Sequence, residues 1–214
     1  MNQVLNRIAE LKLIPMVVLD HAEHAAPFAD ALVAGGLPIA EITFRTPAAE
    51  PAIRTLAKRG VLLVGAGTVL SVEQADRAID AGAQFVVAPG TNPRVVEHVR
   101  KRGITMCPGV VTPTDIELAM SLGITTLKFF PAETMGGVAT LKALAGPYPE
   151  VRFIPTGGIT PELLPIYLKL ASVVACGGSW LAPRHLLTEG KFDAIQRLVE
   201  QAVKLLAGPP QVAT

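Results

Sequence analysis

Thr125-Thr126-Leu127-Lys128-Phe129-Phe130-Pro131 reads as a short strand buried on both faces, with a single charge inside it. Strands covered on both faces appear as near-continuous apolar runs and belong to parallel sheets. The pattern recurs at 13–19, 39–44, 62–69, 84–89, 104–111, 152–159 and 172–179, making eight runs with 125–131. They begin roughly every 20 to 27 residues, the length of a strand, a loop and a crossover helix. The intervening segments carry helix punctuation. Ser71-Val72-Glu73-Gln74 has the spacing of a capping box. Asn92-Pro93 and Thr160-Pro161 put proline at the first helical position after a capping residue. Gly35, Gly60, Gly82, Gly103 and Gly123 stand where left-handed helix caps are expected.

Eight consecutive strand–helix units predict a single-domain (β/α)8 barrel of class α/β over 1–207, with a short flexible tail at 208–214. A helix over about 4–11 would precede the first strand and cover the barrel's bottom. An open, doubly wound sheet ranks lower, because no GxGxxG follows the first strand. Over the 214 residues, hydrophobic residues make up 50%, charged residues 17% and the formal net charge is +1. That is a globular composition without a field to gather nucleic acid or an anionic membrane, so any anion site must be local. Cys107 and Cys176 lie far apart and suit reduced thiols in a cytosolic protein. The first residues lack a secretion signal, and no apolar run reaches membrane-spanning length. His21, His24, His98 and His185 form no HxH or HExxH pattern, so no metal is expected. No GxSxG elbow is present.

The charge at Lys128 has to be explained. A buried ammonium finds a partner or loses its proton, and the free amine attacks carbonyl carbons to form Schiff bases. A lysine that buries its stem and snorkels to solvent fits the same residue taken alone. In the second run, alternation puts Glu41, Thr43 and Arg45 into the barrel and Ala40, Ile42 and Phe44 toward the helices. A carboxylate and a guanidinium inside a barrel are costly unless paired or functional. Gly65-Ala66-Gly67 leaves space in the barrel, and Thr68 adds a hydroxyl at that strand's end. Gly157-Gly158 and Gly177-Gly178-Ser179 follow the seventh and eighth strands, where barrel phosphate sites form. Glycines there admit an anion to backbone N–H groups, and paired tight turns would use the same residues.

Glu41-Ile42-Thr43-Phe44-Arg45-Thr46, Gly65-Ala66-Gly67-Thr68-Val69-Leu70, Leu127-Lys128-Phe129-Phe130-Pro131-Ala132-Glu133, Pro155-Thr156-Gly157-Gly158-Ile159 and Gly177-Gly178-Ser179-Trp180-Leu181 together resemble the 2-keto-3-deoxy-6-phosphogluconate (KDPG) aldolases. The resemblance runs in order over nearly the whole chain. It implies a (β/α)8 barrel, usually a homotrimer, with metal-independent class I aldolase activity and no cofactor beyond the covalent Schiff base. The substrate would be a phosphorylated 2-keto-3-deoxy acid, and the products pyruvate and glyceraldehyde 3-phosphate. By the same resemblance Lys128 forms the Schiff base and Glu41 is the general acid/base. Arg45 and Thr68 receive the pyruvate carboxylate, and Pro89, Phe130 and Thr156 contact the substrate. Gly157, Gly158, Gly178 and Ser179 bind the phosphate. Arg45-Thr46 favours the gluconate series over a phosphogalactonate-type aldolase, and activity on 4-hydroxy-2-oxoglutarate is compatible. A phosphosugar isomerase using Glu41 as base, or a binding barrel without imine chemistry, are the alternatives.

Overall fold

The computed structural model describes residues 2–207, so the tail expected at 208–214 lies outside the described residues. The strands are β1 (Leu13–Val17), β2 (Ile39–Thr43), β3 (Leu63–Gly67), β4 (Phe85–Val87), β5 (Thr105–Cys107), β6 (Gly109–Val110), β7 (Thr126–Phe129), β8 (Arg152–Pro155) and β9 (Cys176–Gly178). All of their pairings are parallel. One ladder runs β5-β4-β3-β2-β1-β9 and a second runs β6-β7-β8. The ring closes where Phe153 bridges Val173 and Thr156 bridges Gly177. Each of the eight expected runs therefore contributes a stave.

The fifth run is divided at Pro108 into β5 and β6. Proline has no N–H to donate to a neighbouring strand. Its carbonyl still accepts from the Lys128 N–H at 2.9 Å, so the stave stays attached to β7. The division separates the pairing of β5 with β4 from that of β6 with β7.

The helices are α1 (Gln3–Leu11), which precedes the first strand, and an outer layer of α2 (Ala25–Ala34), α3 (Ala49–Arg59), α4 (Val72–Asp80), α5 (Pro93–Lys101), α6 (Pro113–Ser121), α7 (Gly137–Ala145), α8 (Leu164–Leu168), α9 (Arg184–Thr188) and α10 (Phe192–Ala207). The Asn2 side chain caps α1 at the Leu5 N–H and donates to Thr105 Oγ1 at 2.8 Å, at the entry of β5. Ile8 is fully buried, so α1 plugs the barrel's lower end as expected. Ser71 Oγ accepts from the Gln74 N–H and Asn92 Oδ1 from the Arg94 N–H, as the capping spacing predicts. Thr112 and Asp115 form a full capping box on α6.

Gly60, Gly82, Gly103 and Gly123 are left-handed, but after α2 the left-handed residue is Gly36 and not Gly35. Gly35 has a different reason to be glycine. A Cβ there would stand 2.6 Å from Val199 Cγ1, so its absence lets α10 pack on α2. Phe28 and Leu32 on α2, Ile53 and Leu56 on α3, and Val96 and Val99 on α5 are fully buried against the strands. Each large aliphatic or aromatic side chain buried in this way stabilises by about 1.5–3 kcal/mol. Exposed ion pairs contribute about 0–1 kcal/mol each, so the layer between strands and helices carries the fold. Among the described residues no helix is long and apolar enough to cross a membrane.

Candidate active site

Lys128 on β7 and Glu41 on β2 both turn inward, and Lys128 Nζ stands 3.2 Å from Glu41 Oε1. Both are buried, at 4% and 3% exposure. The lysine does not snorkel. Its ammonium ends against a carboxylate inside the barrel, and its Nζ lies 5.3 Å from the centre of the Phe130 ring. Room for the carboxylate is provided by β3. A Cβ at Gly67 would stand 2.2 Å from Glu41 Oε1, and one at Gly65 would lie equally close, at 2.2 Å, to the Phe85 ring. Beneath the pair, Phe85, Ile14 and Ile8 of α1 make an apolar floor.

Cys107 lines the same cavity, a placement that sequence reasoning missed. Burial, with Glu41 adding to it, pushes the thiol up to about 12, so it stays protonated and does not compete as a nucleophile. Alternation along β5 was the signal that could have found it. Thr156 is also buried in this wall. Among the described residues, no three His, Cys, Asp or Glu side chains converge on a common point.

Alternation places Glu41 correctly and fails at Arg45. β2 ends at Thr43, whose hydroxyl donates to the Val17 carbonyl at 2.9 Å. Beyond it the chain turns, with the Arg45 N–H on the Thr43 carbonyl at 2.7 Å. Arg45 is consequently exposed at the mouth and does not point into the barrel. Its Nε donates to Thr68 Oγ1 at 3.2 Å, and among the described residues it has no carboxylate partner. Thr68 takes φ +57°, a left-handed conformation that a β-branched residue rarely adopts. Such strain costs about 1–3 kcal/mol and persists where the surroundings impose it. Here Phe44 N–H on the Gly67 carbonyl and Val69 N–H on the Val87 carbonyl fix both flanks. The result is a guanidinium and a hydroxyl held together at the rim.

Pro89 is half-buried at the end of the β4 stave. A Cβ at Gly109 would lie 2.1 Å from the Pro89 carbonyl oxygen, so the β5–β6 division brings the two turns into contact. Gly157 and Gly158 have φ of +100° and +82° and form a turn after β8. The sequence suggested that the glycines here admit an anion to backbone N–H groups. A Cβ at Gly158 would stand 2.7 Å from Glu133 Cβ, and one at Gly178 would stand 2.9 Å from Trp180 Nε1. Both positions are crowded by a neighbouring side chain, and Gly158 also has a left-handed φ that favours glycine. The Gly158 and Ser179 N–H groups have no acceptor among the described residues, and the Ser179 side chain is exposed beside them.

A lysine–carboxylate pair sunk in a barrel, beneath an unpaired arginine and beside free turn N–H groups, defines a site for carbonyl chemistry on an anionic substrate. The family model KDPG and KHG aldolase matches residues 4–198. The 2-dehydro-3-deoxy-phosphogluconate aldolase of Haemophilus influenzae is 44% identical over 205 residues, 95% of this chain and 97% of its own. The KDPG aldolase of Legionella pneumophila, crystallised with pyruvate captured as a covalent carbinolamine intermediate, matches with a TM-score of 0.90 at 35% identity, covering 94% of this chain and 98% of that one. The Zymomonas mobilis KDPG aldolase with 3-phosphoglycerate matches with a TM-score of 0.86 at 39% identity, over 92% and 94% of the two chains. The chain belongs to the KDPG and KHG aldolase family of carbon–carbon lyases.

Proposed function

We propose that this chain reversibly cleaves 2-keto-3-deoxy-6-phosphogluconate to pyruvate and glyceraldehyde 3-phosphate through an imine on Lys128. The observation that carries this reading is the 3.2 Å contact between the buried Lys128 and Glu41. Lys128 Nζ attacks the C2 carbonyl after giving up its proton, and loss of water from the carbinolamine leaves a protonated imine. The C3–C4 bond then breaks toward the iminium while the C4 hydroxyl loses its proton. Glyceraldehyde 3-phosphate departs and an enamine remains. Protonation at C3 and hydrolysis of the imine release pyruvate and restore the lysine. Glu41 is the carboxylate placed to move these protons.

Arg45 and Thr68 are assigned to the substrate carboxylate, which a guanidinium with no carboxylate partner among the described residues is suited to receive. Pro89, Phe130 and Thr156 are assigned to the walls around the pyruvyl carbons. Gly157, Gly158, Gly178 and Ser179 are assigned to the phosphate, with the Gly158 and Ser179 N–H groups as its backbone donors. No metal or organic cofactor enters these steps. The enzyme is taken to work in the cytoplasm as a homotrimer, with no nucleic-acid or membrane partner. A second substrate, 4-hydroxy-2-oxoglutarate, follows from the family, because the imine and carboxylate groups stand apart from the phosphate turns.

Borohydride reduction in the presence of pyruvate tests the reading. A stable pyruvyl adduct on Lys128, located by peptide mass, is the expected result. A phosphosugar isomerase or a binding barrel gives no adduct, and its absence overturns the proposal. The phosphate assignment has its own test in Ser179→Ala, where the exposed hydroxyl is removed without a cavity. Loss of one hydrogen bond to a charged group costs about 1.5–3 kcal/mol. The kcat/KM for the phosphorylated substrate should fall roughly 10- to 100-fold on that basis. Cleavage of 4-hydroxy-2-oxoglutarate should stay near wild type. Equal losses on both substrates would move the phosphate elsewhere.

A further inference from the structure

Glu133 and Tyr167 take no part in the chemistry at Lys128, yet the structure joins them. The Tyr167 hydroxyl donates a hydrogen bond to Glu133 Oε1. Tyr167, on α8, is fully buried and makes a fixed anchor. Burial, with Glu133 adding to it, holds its phenol above the ordinary range, so it remains a donor at any working pH. Glu133 is exposed and lies in the turn after β7, five residues beyond Lys128.

The route between them is narrow. A Cβ at Gly158 would lie 2.7 Å from Glu133 Cβ and 2.8 Å from its Cγ. A Cβ at Gly137 would lie 2.7 Å from Glu133 Oε1 and 2.8 Å from the Tyr167 hydroxyl. The Glu133 side chain thus runs through a slot that exists only because both flanking residues are glycine. The backbone follows the same path. The Glu133 N–H donates to the Gly157 carbonyl at 3.1 Å and the Ala132 N–H to the Thr156 carbonyl at 2.9 Å. Gly157 packs beneath Phe130, whose ring stands over Lys128.

We propose that Glu133 and Tyr167 are positioning residues whose hydrogen bond fixes the spacing between the Lys128–Phe130 strand end and the Gly157–Gly158 turn. That spacing sets how far the substrate's phosphate sits from the carbonyl carbon that Lys128 attacks. The inference rests on the reading that this turn takes the phosphate. Small misplacements of a bound reactant cost on the order of 100-fold in rate, so a loosened turn is felt at the distant lysine. It is not felt by pyruvate, which has no phosphate to misplace.

The test uses the full-length enzyme as Tyr167→Phe, Glu133→Ala and Glu133→Gln. Two quantities are measured: kcat/KM for the phosphorylated substrate, and exchange of pyruvate methyl protons with deuterated water. Tyr167→Phe and Glu133→Ala are expected to lower the first about 10- to 100-fold and to leave the second within about twofold. Glu133→Gln keeps an acceptor oxygen and should recover most of the loss. Equal losses in both assays, no loss in the first, or no recovery with Gln would overturn the proposal. Glu133 is exposed, so its variants keep the test intact even where Tyr167→Phe fails to fold. The underlying reading is judged separately on wild type. If wild type shows no preference for the phosphorylated substrate over 4-hydroxy-2-oxoglutarate, the phosphate assignment itself has failed.

Discussion

Lys128→Arg is expected to abolish cleavage while the barrel stays folded. A guanidinium does not deprotonate in a protein, so the variant has no nucleophile for the carbonyl carbon. Arg is a better test than Ala here. Lys128 and Glu41 are both buried, and removing one partner of a buried pair costs about 3–5 kcal/mol through the uncompensated charge. Lys128→Ala would therefore mix lost chemistry with lost stability. Arg keeps a positive charge beside Glu41, and its extra bulk costs about 1–3 kcal/mol in a packed site. A thermal melt places that cost, and kcat/KM is then read on folded protein. Residual activity should lie below about a thousandth of wild type, because no other group supplies the imine. The borohydride adduct with pyruvate should vanish as well. Activity above that level, or an adduct elsewhere on the chain, would remove Lys128 from the mechanism.

The pair could be expected from sequence for a topological reason. Glu41 and Lys128 lie 87 residues apart, and nothing local connects them. Once eight apolar runs are taken as staves of one barrel, strand alternation sends both side chains to the axis. Continuous burial is what made the staves legible. What alternation could not show is where a strand stops. Arg45 was expected inside because β2 was carried two residues too far, whereas the turn after Thr43 lifts it to the mouth. Pro108 falls inside the fifth apolar run, but the division of one stave between two ladders depends on which neighbour needs its missing N–H. The glycines show the same limit. Gly67 and Gly158 are spaces for Glu41 and for Glu133, side chains that reach them from a neighbouring strand and a neighbouring turn. A sequence shows that a Cβ is missing and not which neighbour occupies the gap. Tyr167 is the extreme case, an unremarkable tyrosine in a short helix until its hydroxyl is seen on Glu133.

Glu41→Gln is expected to retain the imine and lose the proton transfers. The amide is close in size to the carboxylate, so the space left by Gly67 still holds it, and its oxygen still accepts from Lys128. It does not take up and return a proton near neutral pH. General acid–base groups contribute about 10²–10⁴-fold, and cleavage should fall by that factor. Two partial reactions separate this role from that of Lys128. Borohydride should still trap pyruvate on Lys128, more slowly, because the amine remains. Exchange of the pyruvate methyl protons with deuterated water should fall in step with cleavage, because both require a proton to move at C3. The neutral amide also leaves the buried lysine without its counter-charge, so a lower melting temperature should accompany the loss. Measurements belong well below that temperature. If exchange runs at wild-type speed while cleavage is slow, the base at C3 is another group, and Glu41 serves only to hold Lys128 in place.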